Sequence, residues 1–577
     1  MGLTENFSPT FLSSGSPCLD FFFHIVPDTC PGDLIQRLES SWTHDPLTTL
    51  KLVCNLRGVR GTGKSDKEGF YTAALWLFKN HPRTLALNLP SLVDFGYFKD
   101  LPEILYRILE GDQQMGRGRK RVWRKRIQRR FKGTCEQRSD VSGELEDRIL
   151  ENVEEIGGPV DKIKARALRK QREVEKAKKA LERYNSDASY RLLFDRTADL
   201  FADVLKSDLE YLNSNQPNKI GLASKWCPSV DSSYDKATLI CEAIARRMFS
   251  RDEYGQGIEE AHYAYRIRDR LRKEVLVPLH KALELPELSM SAREWNLLKY
   301  NRVASVAMQN YRTHFAEHDL ERFTEFLGDV KAGKKKIAAG ALLPHQIISQ
   351  LEDREVGAEV AELHMSGTPM EVCVALGLLV SELNEEPWKG KVITFSENPE
   401  LHVVTGSSLR EKTRFIRRMD WGGNTDLQKV FDRILDVAVE NNLTDDEMIK
   451  RIFVFSDMEF DDATGNYHWE WEVSDSESDP GSDYQTAYES DESDYETRYE
   501  ERLKKSKERS KKKWETDYEV VQRKYKEKGF EKVPEIVFWN LRDSSATPVA
   551  AKQKGVALVS GFSKNLLTLL RRWDRES

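Results

Sequence analysis

The sequence predicts an all-α helical-repeat region followed by an α/β domain, and three observations predict it. Apolar residues recur at spacings of three and four from Pro31 to about Gln350, which is the mark of amphipathic helices. After Met365 the period changes. Short apolar runs bounded by turn residues (KVITFS, RIFVFSD, EIVFWNL, GVALVSGF) alternate there with helical segments, as in a mostly parallel sheet covered by helices. The third observation is a sharp break in composition at GRGRKRVWRKRIQRRFKG, a solvated stretch that divides the helical region in two.

The elements follow in order. DLIQRLESSW, DPLTTLKLVCNLR, GFYTAALWLFKNHP and LPEILYRILEG, with Pro, Gly and Asp between them, form short helices within residues 1–111. Residues 112–160 are a basic and then polar linker. Helices resume over 161–350, first as KIKARALRKQREVEKAKKALERY, whose few apolar side chains predict a helix projecting into solvent. Further amphipathic segments, among them SYRLLFDRTADLFADVLKSDLEYL and ATLICEAIARRMF, predict a solenoid or curved helical array. Residues 351–577 make the α/β, Rossmann-like domain. Thr368, Pro369 and Glu371 supply a capping box with proline at the first helical position, opening MEVCVALGLLVSEL. Residues 473–513 are acidic and then basic with few aliphatics, so a disordered insert between two strands is expected.

Composition narrows the partners less than the motifs do. Across 577 residues, 89 basic and 95 acidic side chains nearly cancel to a net charge of -6, so the sum names no partner. Seven cysteines, an odd number without a Cys-x-x-Cys pair, argue against a disulfide framework or a zinc knuckle and for a reducing compartment. No signal-peptide pattern opens the chain and no apolar run approaches about 18 residues. A soluble protein of the cytoplasm or nucleus, without membrane attachment, is therefore expected.

Three motifs compete for a chemical reading. Residues Gly58 to Ser65 satisfy the phosphate-loop pattern G-x-x-x-x-G-K-[ST], with Lys64 placed for outer phosphates and Ser65 for magnesium. The apolar residues before it are spaced as in a helix, though, and a phosphate loop leaves a strand, so a glycine-rich connection between helices competes with a nucleotide site. His314, Glu317 and His318 match H-x-x-E-H with two histidines one turn apart, and no third ligand is evident for a zinc site. Arg117, Arg119, Lys120, Arg121, Arg124, Lys125, Arg126, Arg129 and Arg130, with Trp123 interleaved, form the strongest nucleic-acid signal. Such cations release counterions from a phosphate backbone and the ring can stack on unpaired bases. A nuclear localisation signal or a plain linker fits the same residues.

In the last domain Asp457 ends an apolar strand and Thr425 opens a helix from a glycine-rich loop, two positions that face one crevice in a parallel sheet. This order resembles the von Willebrand type A domain, whose ion site takes a D-x-S-x-S loop after the first strand, then a Thr, then an Asp. NLRGVRGTGKSDKEGFY, HYAYRIRDRLRKEVLVPL, AGALLPH, GGNTDL, FSDMEFD and GVALVSGFSKNLL further resemble a plant family of unknown function that joins TROVE-like helices to such a domain, distantly similar to the Ro ribonucleoprotein. The resemblance implies a helical ring for small noncoding RNA and a protein partner for the type A-like domain. It also implies an ion at Thr425 and Asp457. The chain departs from the pattern where the first strand should lie, since SQLEDREVGAEVAELH carries neither an apolar run nor D-x-S-x-S. Ser366 is the remaining substitute ligand. The expectation is a type A-like domain lacking its first strand, with Ser366, Thr425 and Asp457 too few for Mg2+ and two strand edges left exposed. A splice product or a gene-model gap at His364/Met365 would account for it. No nucleophile with an adjacent base and no paired catalytic carboxylates appear. The functional expectation is a non-enzymatic, RNA-associated or protein-interaction scaffold without a cofactor. A P-loop nucleotide-binding protein and a purely protein-protein scaffold stand as alternatives.

Overall fold

The computed structural model describes the chain except residues 1, 4–8, 28, 60–62, 112–161, 255–256, 337–341, 350–367, 395, 397, 420–426, 459–522, 532, 565 and 568–577. Two compact units emerge, Met1–Thr72 together with Ala339–Ser577, and Ala73–Ala338. The first 72 residues, which the sequence groups with the helices up to residue 111, thus belong with the carboxy-terminal part.

The chain opens with β1 (Gly2–Leu3) and β2 (Pro9–Thr10), an antiparallel pair. Three helices follow, α1 (Pro17–His24), α2 (Pro31–His44) and α3 (Pro46–Arg57), each begun by a proline. Proline suits that position because its missing N–H would be unsatisfied there anyway. Asp45 completes the start of α3 by accepting the amides of Leu47 and Thr48. Next comes α4 (Lys67–Asn80).

Among its described residues, Ala73–Ala338 holds helices and no strand. It holds α5 (Pro82–Leu87), α6 (Leu89–Phe95), α7 (Asp100–Glu110), α8 (Lys162–Ser186) and α9 (Ala188–Asn213). Then come α10 (Ala223–Trp226), α11 (Ser233–Thr238), α12 (Ile240–Met248), α13 (Glu260–Arg270) and α14 (Val277–Ala282). The last three are α15 (Pro286–Ala292), α16 (Ser305–His318) and α17 (Leu320–Lys331). Tyr190, Leu193, Phe194, Thr197, Phe201 and Leu205 are buried along α9, which touches α5, α6, α7, α8, α10, α12 and α14. One long apolar face therefore organises most of the unit. On α8, by contrast, every side chain from Arg166 to Lys176 is exposed, as its composition predicts. Between α13 and α14 the helix widens into a π-type segment, Leu271–Leu276, just before Pro278. A wide turn accommodates a proline, whose ring clashes with the carbonyl one turn earlier. A second cluster joins Leu298, Tyr300, Val303, Met308, Phe315, Phe323 and Phe326 around α16 and α17.

The carboxy-terminal part supplies α18 (Pro344–Ile348), α19 (Thr368–Leu383), β3 (Lys391–Ile393), β4 (Leu401–Val403), α20 (Leu409–Arg417) and α21 (Leu427–Glu440). It ends with β5 (Arg451–Ser456), β6 (Glu535–Asn540) and β7 (Val556–Ser560). These last three strands form a parallel sheet in the order β5-β6-β7. Side chains alternate across it: Ile536 and Phe538 join one core with Val430, Phe431 and Ile434 of α21, while Val537 and Trp539 join another with Val372, Cys373 and Leu376 of α19. Both faces are covered, which is why β6 reads as a continuous apolar run. A separate antiparallel pair, β3-β4, places Ile393 opposite Leu401.

Candidate functional site

Lys64, the lysine of the G-x-x-x-x-G-K-S pattern, is buried within the first unit rather than presented in a loop. Helix α3 precedes it, where a phosphate loop leaves a strand. Its Nζ donates to the carbonyl of Phe22, to the carbonyl of Ile25 at 2.6 Å and to Ser560 Oγ at 2.7 Å. Three N–H groups meet three acceptors, so the ammonium has no donor left for a phosphate. Burial lowers its pKa to about 7, with the Asp66 carboxylate pulling the other way. Gly63 has a packing reason of its own, because a Cβ there would lie 2.0 Å from the Asn55 carbonyl oxygen. Gly561, at φ +105°, leaves the opposite side open for the Lys64 stem.

This lysine is one member of a fastening that ties residues 11–25 to the ends of β6 and β7 and the segment between them. Ser560 Oγ donates to the Phe22 carbonyl at 2.7 Å, and Asn540 Nδ2 donates to the Phe23 carbonyl at 3.2 Å. The His24 ring lies 2.9 Å from both the Ser544 carbonyl and Thr547 Oγ1, and Phe11 pairs with Thr547 across an antiparallel bridge. Phe23 enters the same core as Phe538 and Ile434. Sequence reading missed Asn540, Ser560, His24 and Thr547. The available signal was a polar residue closing each of two apolar strands.

At the carboxyl end of β5, Asp457 is 8 % exposed. Its Oδ1 accepts from Ser456 Oγ at 3.4 Å, and Arg542 Nη1 lies 3.5 Å from Oδ2. Ser366 and Thr425, the other expected ligands, lie outside the described residues, as does the whole basic stretch from Arg117 to Arg130. Among the described residues, then, the ion site offers one carboxylate that already faces a guanidinium. Cys373 nearby is buried, and burial and then the charge of Asp457 push its thiol up to about 12.

Between β3 and β5 lies a cavity of about 170 Å³ lined by Lys391 to Thr394, Arg451 to Phe455, Gly377 and Ser381 of α19, and Val430 and Ile434 of α21. Among the described residues β3 pairs with β4 alone and β5 with β6 alone. Consecutive residues of both strands line the cavity, so it runs along two strand edges and not over a face. Its walls are mostly apolar, and a Cβ added at Gly377 would meet nothing within 4 Å.

His314, Glu317 and His318 sit exposed on the last turn of α16, with their ligand atoms all within 4.8 Å of one another. No helix among the described residues is long and apolar enough to cross a membrane.

An uncharacterised protein of Acanthamoeba polyphaga mimivirus, L728, is 25% identical over 98% of this chain and 84% of its own length. No solved structure matches the chain. A model described as domain of unknown function DUF7788 matches residues 355–575, and one described as domain of unknown function DUF2828 matches residues 4–376. Since the latter spans more than half of the sequence, the chain belongs to the DUF2828 family.

Proposed function

We propose that this protein is a non-enzymatic interaction scaffold of the cytoplasm or nucleus. Its α/β unit, read as a von Willebrand type A-like domain without its first strand, receives a protein partner. Its TROVE-like helical region with the basic stretch contacts RNA. The observation that supports the protein-binding half most directly is the apolar cavity between β3 and β5, along edges that no other strand among the described residues pairs. A strand edge carries a row of N–H and C=O groups, and an extended peptide laid along it satisfies them while its side chains fill the apolar walls. Elsewhere in the unit the buried polar groups support a role in binding over catalysis: Lys64 is committed to three internal acceptors and Asp457 faces Arg542.

Gly377→Phe tests this half, because the new ring enters the cavity from a helix position with open space. Proteins crosslinked to the intact protein in cells, identified by mass spectrometry, are expected to be lost in the variant. An unchanged partner set would overturn the reading. For the RNA half, crosslinking followed by RNA sequencing should recover bound RNA from the intact chain and little after deletion of residues 112–133. Recovery of no RNA from the intact chain would leave a protein-only scaffold.

A further inference from the structure

The His314, Glu317 and His318 cluster is not used by the reading above, and its geometry suits a chemistry of its own. Residues four apart on a helix stand one turn above each other, and three apart nearly so, so one ion can reach all three side chains. In the structure His314 Nδ1 is 3.6 Å from Glu317 Oε2, and the three ligand atoms fall within 4.8 Å of one another. Ligands at roughly 2.0–2.1 Å from a tetrahedral zinc ion stand about 3.4 Å apart. Exposed side chains need to close by at most about 1.4 Å to reach that spacing.

Three further features favour a site here. The His318 ring stacks on Trp295, with centroids 4.7 Å apart and planes inclined by 21°, which holds one imidazole in place before any ion arrives. The helix itself is anchored by Phe315, fully buried among Tyr300, Phe323 and Phe326. The cluster also occupies the carboxyl-terminal turn, where unpaired carbonyls give the negative end of the helix dipole. Asp319, the next residue, takes no part. Its carboxylate accepts from the Tyr300 hydroxyl at 2.8 Å and from Arg322 at 2.9 Å.

We propose that the last turn of α16 binds a borderline divalent transition metal ion, zinc above all, through His314, Glu317 and His318, with water completing the coordination. Two imidazoles and one carboxylate select zinc, nickel or copper over magnesium and calcium. Peptide hydrolysis by an H-x-x-E-H site reserves the glutamate as a base and needs a cleft. Here Glu317 stands with the ligands at 63 % side-chain exposure, so the site holds a metal without that activity.

The test is titration of the intact chain with zinc chloride alone, followed by calorimetry, in parallel with His314→Ala, Glu317→Gln and His318→Phe. The last substitution preserves the stack on Trp295, and all four proteins should share one circular-dichroism spectrum because the three residues are exposed. One equivalent of zinc is expected to weaken by about tenfold or more in each histidine variant, and cobalt should give an absorption band that the variants lose. Equal isotherms for the intact chain and the His314→Ala/His318→Phe double variant would overturn the proposal, as would the absence of any binding to the intact chain.

Discussion

At the scale of single residues, Lys64 and His24 set the chemistry of the first unit. Replacing Lys64 with Met keeps the bulk of the stem and removes the donor, leaving the Ile25 carbonyl and the Ser560 hydroxyl short of partners. The expected loss is about 2–4 kcal/mol of stability, read as a lower midpoint in urea unfolding. Nucleotide binding is expected in neither protein. Ionisation adds a signed prediction. His24 is held down to about 4, first by burial and then by Arg37, whereas the unfolded chain takes up its proton near 6.5. Its contribution is therefore complete above about 6.5 and fades as pH falls toward 4, by about 3 kcal/mol at most. Lys64 acts in the same sense at higher pH. Its folded value of about 7 against an unfolded one of about 10.4 makes stability rise through that window. Unfolding followed from pH 4 to 10 should show both limbs, the acid one flattened in His24→Gln and the alkaline one in Lys64→Met.

At the scale of elements, the strands show what periodicity reveals and what it hides. KVITFS, RIFVFSD, EIVFWNL and GVALVSGF all contain strands where the sequence places them, and MEVCVALGLLVSEL is the helix its proline and capping residues announce. Those segments are apolar and locally self-consistent, so local pattern suffices. The short strand Leu401–Val403 was not legible, because a three-residue edge strand with His402 at its centre has no period to read. The role of Lys64 was not legible either. A glycine-rich loop followed by lysine has one appearance whether the amine meets phosphate or three internal acceptors, and only the distant partners Phe22, Ile25 and Ser560 decide it. Asp457 was legible as the end of a strand, yet Arg542 opposite it was not, since no local rule joins residues 85 apart. Helix α19 offers a separate check. Gly377→Ala, at an open helical position, should raise stability by about 0.5–1 kcal/mol, measured in the same denaturant series.

At the scale of the whole molecule, the family matches meet between residues 355 and 376, whereas the first compact unit combines both ends of the chain. A fragment starting at residue 351 lacks Phe23 from its core and leaves Asn540, Thr547 and Ser560 without their amino-terminal partners. Such a fragment is expected to aggregate or to melt without cooperativity. Coexpression with residues 1–72 should restore a cooperative transition in calorimetry, and a fragment that melts like the intact unit would count against the fastening described above.

The hydrogen bond from Ser560 to the Phe22 carbonyl spans 538 positions of sequence, and that separation sets a clock. A ribosome adding about 5–20 residues per second needs roughly half a minute to two minutes between the two partners. For most of that time α1 is outside the ribosome with Phe23 lacking its partners in the carboxy-terminal core, while the intervening helices are made. The amino terminus of this protein must be kept from wrong partners until its last strand is made.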